Sequence, residues 1–286
     1  MHALRINVTR DCNLKCSYCY MKNRKDHLSF TVLQDLLSKW NPNRVTFSGG
    51  EPFLHPKIKQ IIATAINGNV QEINIITNGT QISKNKVFLS ELKELANSYQ
   101  KEIKISFSLD GKTKQEIPNL ISVFEFGIKT QVYIYPMIKQ YEVIREFICK
   151  VSAYIESCQL LFPIPFGKNS LTMVAGRQWE DTVKYFREIC APYKFRFNFQ
   201  AGYSNFFNPD DKSLLNAEES IFIDCDGSEH ECCLLAEVKS LGYQLPYDCC
   251  RVNEGYGCLA LLAVHKKDFR LKDDPSAPCP LQLSNL

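Results

Sequence analysis

A chain of 286 residues with 45% hydrophobic and 23% charged residues has the composition of a globular protein, long enough for one large domain or two modest ones. Its net charge of +3 forms no basic stripe that would argue for nucleic acid, and no apolar run approaches the roughly 18 residues of a membrane span. No secretory signal opens it, so a cytoplasmic protein is expected, and the sequons at Asn7 and Asn78 are expected to carry no glycan.

Strand-like runs rich in β-formers are predicted at residues 4–9, 44–47, 72–76, 103–108, 131–138 and 159–164. Amphipathic helices are predicted between them at 30–40, 58–66, 86–98 and 143–156, the first N-capped by Ser29. Such alternation argues for a parallel sheet of βα units. A helix over 177–189 and an aromatic-rich strand over 195–200 follow, and residues 201–286 read as a loop-rich segment that depends on metal ligation to stay folded. The domain boundary is accordingly placed between 1–200 and 201–286.

Unusual residues recur just after predicted strands. Cys12, Cys16 and Cys19 follow the first, Ser48-Gly49-Gly50-Glu51-Pro52 the second, Thr77-Asn78-Gly79-Thr80 the third, Ser108-Leu109-Asp110-Gly111 the fourth and Pro165-Phe166-Gly167-Lys168 the sixth. In βα barrels the C-terminal rim of the strands forms the active site, which makes these segments one constellation.

Thirteen cysteines in a chain with no export signal point to metal or catalysis rather than disulfides, and ten of them cluster within 12–19 and 225–279. Thiolates spaced C-x3-C-x2-C can hold three corners of a 4Fe–4S cubane and leave one iron open to a substrate or cofactor. Zinc is the competing reading and needs a fourth ligand with its own spacing. Cys149, Cys158 and Cys190, on apolar or helical segments, are expected to be buried small hydrophobes. His27, His55, His230 and His265 show no ligand spacing and are expected at the surface.

The motifs at 12–19, 48–52, 77–80 and 108–110 together resemble the radical S-adenosylmethionine (radical SAM) superfamily, closely over residues 4–168. The resemblance implies an α/β partial (β/α)6 barrel with a small loop-rich, cysteine-rich C-terminal domain. It further implies an enzyme whose 4Fe–4S cluster on Cys12, Cys16 and Cys19 reductively cleaves SAM to a 5′-deoxyadenosyl radical. Tyr18 is then expected near the adenine, Gly49, Gly50 and Glu51 near the methionine ammonium, Ser108 and Asp110 at the ribose, and Asn78 at the SAM end of the cavity.

The tail resembles SPASM or twitch extensions more loosely, through Cys225-Asp226-Gly227 followed by four residues and Cys232. It implies at least one auxiliary 4Fe–4S cluster drawn from Cys225, Cys232, Cys233, Cys249, Cys250, Cys258 and Cys279. The adjacent pairs Cys232-Cys233 and Cys249-Cys250 depart from the usual spacing, and a structural zinc stays the alternative. Cys225 is also a candidate hydrogen-atom donor. A peptide or protein substrate is favoured, modified by crosslinking, epimerisation or oxidation, as in the maturation of ribosomally made peptides. A small molecule or nucleotide precursor is the second reading and a non-catalytic iron–sulfur or zinc protein a remote third. Further expected partners are an electron donor such as flavodoxin or ferredoxin and a separate leader-peptide-binding protein, because the first strand begins about three residues into the chain.

Overall fold

The computed structural model describes residues 3–16, 19, 21, 25–109, 116–136, 140–161, 177–199 and 220–230. Among these residues nine strands form one open sheet: β1 (Ala3–Thr9), β2 (Arg44–Gly49), β3 (Glu72–Thr77), β4 (Glu102–Leu109), β5 (Lys129–Ile134), β6 (Ser157–Leu160), β7 (Arg196–Phe199), β8 (Ser220–Ile223) and β9 (Glu229–His230). The order is β7-β6-β5-β4-β3-β2-β1-β8-β9. Every neighbouring pair is parallel except β8 with β9. From β1 to β7 each strand lies beside its predecessor, so right-handed crossovers place the connecting helices on one face and leave the other open. This is the partial barrel expected from the sequence.

The helices are α1 (Phe30–Trp40), α2 (Ile58–Asn67), α3 (Lys86–Ser98), α4 (Glu116–Glu125), α5 (Tyr141–Val151) and α6 (Arg177–Cys190). α1 and α3 match the predicted bounds. α4 went unpredicted, because Pro118 breaks the apolar pattern; a proline in the first turn costs no intrahelical bond. β5 ends at Ile134, two residues before Pro136, whose missing N–H cannot extend the ladder. Ser29 occupies the N-cap of α1, but its hydroxyl pairs with Thr31 Oγ1 at 2.8 Å and caps no backbone N–H.

Registered residues of parallel strands share a face. Ile223, Ile6, Phe47, Ile75 and Ile105 form one such row across β8, β1, β2, β3 and β4, all fully buried on the helix-covered side. Burying each such side chain contributes about 1.5–3 kcal/mol. The opposite side of β3 to β6 is polar. There Ser157 Oγ donates to Gln131 Oε1 (3.0 Å), Gln131 Nε2 to Ser106 Oγ (2.6 Å), Ser106 Oγ to Asn74 Oδ1 (2.5 Å) and Asn74 Nδ2 to Tyr133 Oη (3.3 Å).

Three surface expectations are corrected. His55 and His230 are buried, at 4% and 8% exposure, and each ring has a partner: His55 Nε2 meets Leu28 O at 3.0 Å across to the segment before α1, and His230 Nε2 meets Ser228 Oγ at 2.7 Å within its own hairpin. Cys158 and Cys190 are buried as expected, but Cys149 is exposed near the end of α5, where its Sγ accepts from Tyr193 Oη at 3.0 Å.

Candidate functional site

The C-terminal ends of β1 to β4 bring four of the predicted motifs to one rim. β1 runs out at Thr9, and the chain turns into the cysteine loop. Arg10 N donates to Asp26 O at 2.9 Å, closing the base of that loop, while Cys19 N donates to Cys16 O at 3.2 Å within it. Cys12 and Cys16 are half-buried and Cys19 is exposed.

The Gly49-Gly50 pair explains how the loop stem sits. Gly50 N donates to Thr9 O at 2.7 Å and Glu51 N to Asp11 O at 2.8 Å, so β2 extends backbone pairing past the end of β1. A Cβ on Gly49 would stand 2.2 Å from Thr9 O, and one on Gly50 would stand 2.1 Å from Asp11 O. Gly49 also has φ +126°, which side chains disfavour. Both glycines thus admit the backbone that leads to Cys12.

Glu51 is fully buried. Its Oε1 accepts from Thr77 Oγ1 (2.7 Å) and Phe53 N (3.2 Å), and its Oε2 from Asn78 N (2.8 Å). Burial pushes its carboxyl up to about 7, against the pull of those three donors. The carboxylate thus pins the end of β3 to β2. Asn78, held there, accepts at Oδ1 from Thr80 N at 3.0 Å and points Nδ2 at the cysteine loop, 3.0 Å from Asn13 Oδ1 and 3.9 Å from Cys12 Sγ. Leu14 N also donates to Cys12 Sγ, at 3.4 Å. Burial raises the Cys12 thiol despite these donors.

Ser108 is half-buried at the end of β4, on the polar face beside Tyr133. Tyr18, Asp110 and the segment 165–168 lie outside the described residues, as do Cys232, Cys233, Cys249, Cys250, Cys258 and Cys279.

One tail cysteine is described. β8 brings Cys225 beside β1 at the same rim, buried to 6% exposure. Burial, and then the neighbouring Asp224 carboxylate, push its thiol up to about 12, so it stays protonated. Sequence reasoning missed what holds this strand end. Asp224 accepts from Arg10 Nη2 at 2.5 Å, from Cys225 N at 2.9 Å and from Asn7 Nδ2 at 3.3 Å. Burial works to raise the Asp224 carboxyl, but Arg10 and the N–H donors outweigh it and hold it below its ordinary value. No signal local to either residue pairs positions 214 residues apart.

The site suits a 4Fe–4S cluster by its donor chemistry: three thiols on one loop, with N–H groups directed at Cys12 sulfur and the Gly49-Gly50 pair packed against the stem. Among the described residues no three His, Cys, Asp or Glu side chains are grouped to hold a single metal ion. Ligands of a cubane bind separate irons and need not converge on one point.

Known proteins bear on this rim. The model of the radical SAM superfamily matches residues 6–111. An uncharacterized protein of Methanocaldococcus jannaschii is 36% identical over 137 residues, 44% of each chain. A probable GTP 3′,8-cyclase of Methanococcus maripaludis is 29% identical over 91 residues, 29% of this chain and 31% of its own. The matches thus span less than half the length of these curated relatives. Among solved structures, Streptococcus suis SuiB bound to the precursor peptide SuiA superposes with a TM-score of 0.67, at 15% identity, over 99% of this chain and 73% of its own. SuiB bound to S-adenosylmethionine gives 0.63 at 17% identity, over 93% and 66%. At such identities the likeness concerns the fold. The residues that match the radical SAM superfamily model, 6–111, are those that carry the cysteine loop and its β2, β3 and β4 supports.

Proposed function

We propose that the chain is a radical SAM enzyme that cleaves SAM reductively and uses the resulting 5′-deoxyadenosyl radical to modify a peptide or protein. The observation that carries this reading is the clamped loop: three cysteines whose stem lies on Gly49-Gly50, with the Glu51-held Asn78 amide facing Cys12 sulfur. Cys12, Cys16 and Cys19 would hold a 4Fe–4S cluster, which would supply the electron for SAM cleavage. The protein's own residues fix and shield that chemistry. Glu51 locks β2 to β3, Asn78 and Leu14 N–H groups bond to the ligating sulfur, and Ser108 offers its hydroxyl to the ribose with Asp110 after it. Tyr18 packs near the adenine. Cys225, a protonated thiol at the rim, is a candidate to return a hydrogen atom to a substrate radical. If the tail cysteines instead carry an auxiliary 4Fe–4S cluster, Cys225 is one of its ligands.

The peptide reading leads because SuiB, solved with a precursor peptide, is a fold neighbour over 99% of this chain, whereas likeness to the cyclase covers 29% of it. That cyclase likeness favours the second reading, a nucleotide or other small-molecule substrate. A flavodoxin or ferredoxin as electron donor belongs to either reading, and a separate leader-binding protein to the peptide reading.

The test is anaerobic reconstitution, iron counting and assay of 5′-deoxyadenosine from SAM under dithionite. About eight irons per chain are expected for one auxiliary cluster, about twelve for two and about four for none. Replacement of Cys12, Cys16 and Cys19 by Ala is expected to abolish SAM cleavage; persistence of cleavage refutes the assignment. Turnover of a Cys-, Tyr- or Thr-rich peptide against GTP separates the two substrate readings.

A further inference from the structure

Arg10 stands two residues before Cys12, where the chain leaves β1. The β1–β2 register slips between Asn7 and Thr9, so the regular ladder is interrupted at this joint. Side chains bridge it. Arg10 and Asp224 are 2% and 5% exposed and meet at 2.5 Å, while Asn7 donates to Asp224 and accepts from Ser48 Oγ at 3.2 Å. One carboxylate from β8 therefore ties together β8, β1 and, through Asn7, β2, directly beneath the cysteine loop. Backbone bonds from β2 and from Asp26 also hold the stem, as do the Thr9 hydroxyl, 3.0 Å from Asp26 O and 2.8 Å from His27 Nδ1, and the Asn78 amide on Asn13.

Stability alone gives weak reason for a buried pair here, since well-packed apolar residues of similar volume are often as stable or more so. A guanidinium held by a carboxylate does what apolar packing does not: it fixes direction. We propose that Asp224 is a positioning residue for the cysteine loop, acting through Arg10, so that residues 220–230 belong to the cluster site itself. This inference rests on the reading that Cys12, Cys16 and Cys19 hold a cluster.

The experiment uses the full chain, reconstituted anaerobically, as wild type, Asp224→Asn, Arg10→Lys and the double variant Arg10→Met/Asp224→Leu. Three quantities are read: the urea midpoint, the rate of iron loss to the chelator bathophenanthroline without denaturant, and the change that SAM induces in the electron paramagnetic resonance spectrum of the dithionite-reduced protein. Iron held elsewhere is subtracted using the Cys12, Cys16 and Cys19 triple Ala variant. Asp224→Asn is expected to lower the midpoint and speed iron loss together. In the double variant the midpoint is expected to return to near wild type while iron loss stays about tenfold faster and the SAM-induced spectral change is weakened. Arg10→Lys, which keeps the charge but not the fork, is expected to speed iron loss with little change in midpoint, and it decides the matter if the double variant does not fold. Iron loss and spectra that match wild type, or that simply follow the urea midpoint across the variants, overturn the proposal. A wild-type chain that takes up no cluster at Cys12, Cys16 and Cys19 overturns the function reading itself, and is told apart by that alone.

Discussion

Gly50→Ala tests whether the glycine pair exists to seat the cysteine loop. Gly50 does not have the positive φ of Gly49, so the penalty is steric rather than conformational. The new Cβ would lie 2.1 Å from Asp11 O and 2.6 Å from Asp11 C, both backbone atoms that cannot rotate away. Ordinary contact needs about 3.5 Å, so the stem must move by more than about 1 Å. That displacement breaks the bonds from Gly50 N to Thr9 O and from Glu51 N to Asp11 O, at about 1 kcal/mol each. Overpacking adds about 1–3 kcal/mol, for a total near 3–5 kcal/mol. Urea denaturation followed by circular dichroism measures the loss, and iron retained after reconstitution reports on the loop. Gly68→Ala is the control: there a Cβ meets nothing closer than 3.4 Å, and the change is expected to stay within about 1 kcal/mol. A Gly50→Ala protein with wild-type stability and iron content refutes the reasoning.

Three further outcomes are expected. Glu51, raised to about 7 by burial, binds its proton more tightly folded than unfolded, so its contribution is complete below about 4.5 and is lost as pH rises through about 7. Urea titrations of the cluster-free protein at pH 5 and pH 8 should therefore show wild type losing up to about 3 kcal/mol relative to Glu51→Gln; a constant difference contradicts the buried-carboxylate account. Ser106→Ala removes the middle of the hydrogen-bonded chain and leaves Asn74 Oδ1 and Gln131 Nε2 short of a partner, at an expected cost of about 2 kcal/mol by thermal or urea unfolding. Ser29→Ala should cost less than about 0.5 kcal/mol, below the usual N-cap loss, because the Ser29 hydroxyl caps nothing; a loss of 1 kcal/mol or more would mean the cap forms in solution.

What the sequence made legible was local. The cysteine spacing, the Gly-Gly-Glu-Pro turn and the strand–helix periodicity each lie within a few residues, and the structure returns α1 at its predicted bounds with the motifs at strand ends. What was illegible is set by distance along the chain or by orientation. Ser220–Ile223 is a short apolar run that has no meaning until it finds β1, with Ile221 registering on Leu4 and Ile223 on Ile6. The Arg10–Asp224 pair depends on that docking. The inward turn of Glu51 depends on Thr77 and Asn78, which arrive on a different strand. Its role as an interstrand lock could be argued only after β2 and β3 were known to be neighbours.

One signal was present in the sequence and bears on how the site is oriented. Strands of a parallel sheet covered on both faces read as nearly continuous apolar runs. β4 does not: Glu102, Lys104, Ser106 and Ser108 alternate with Ile103, Ile105, Phe107 and Leu109. β5 repeats the pattern with Lys129, Gln131 and Tyr133, which register on Lys104, Ser106 and Ser108. Such alternation means that one face of the sheet is not covered by helices but encloses polar contents. Its character changes along the strands. At the N-terminal end Glu72 accepts from Arg44 at 2.9 Å and from Lys104 at 3.0 Å, and Glu102 meets Lys104 at 2.7 Å and Lys129 at 3.2 Å, so the charges neutralise one another. Above them runs the uncharged chain from Ser157 to Tyr133, and above that lie Ser108, Asn78 and the cysteine loop. The cations at the base are already committed to carboxylates, so what the open face offers a bound molecule in its middle layer is amide and hydroxyl groups. Tyr133 accepts from both Asn74 and Gln131, which directs its own O–H outward as the donor that ends the chain. The rim above it, where the Asn78 amide meets Asn13 and Cys12, is the end of the face that carries the chemistry-bearing groups.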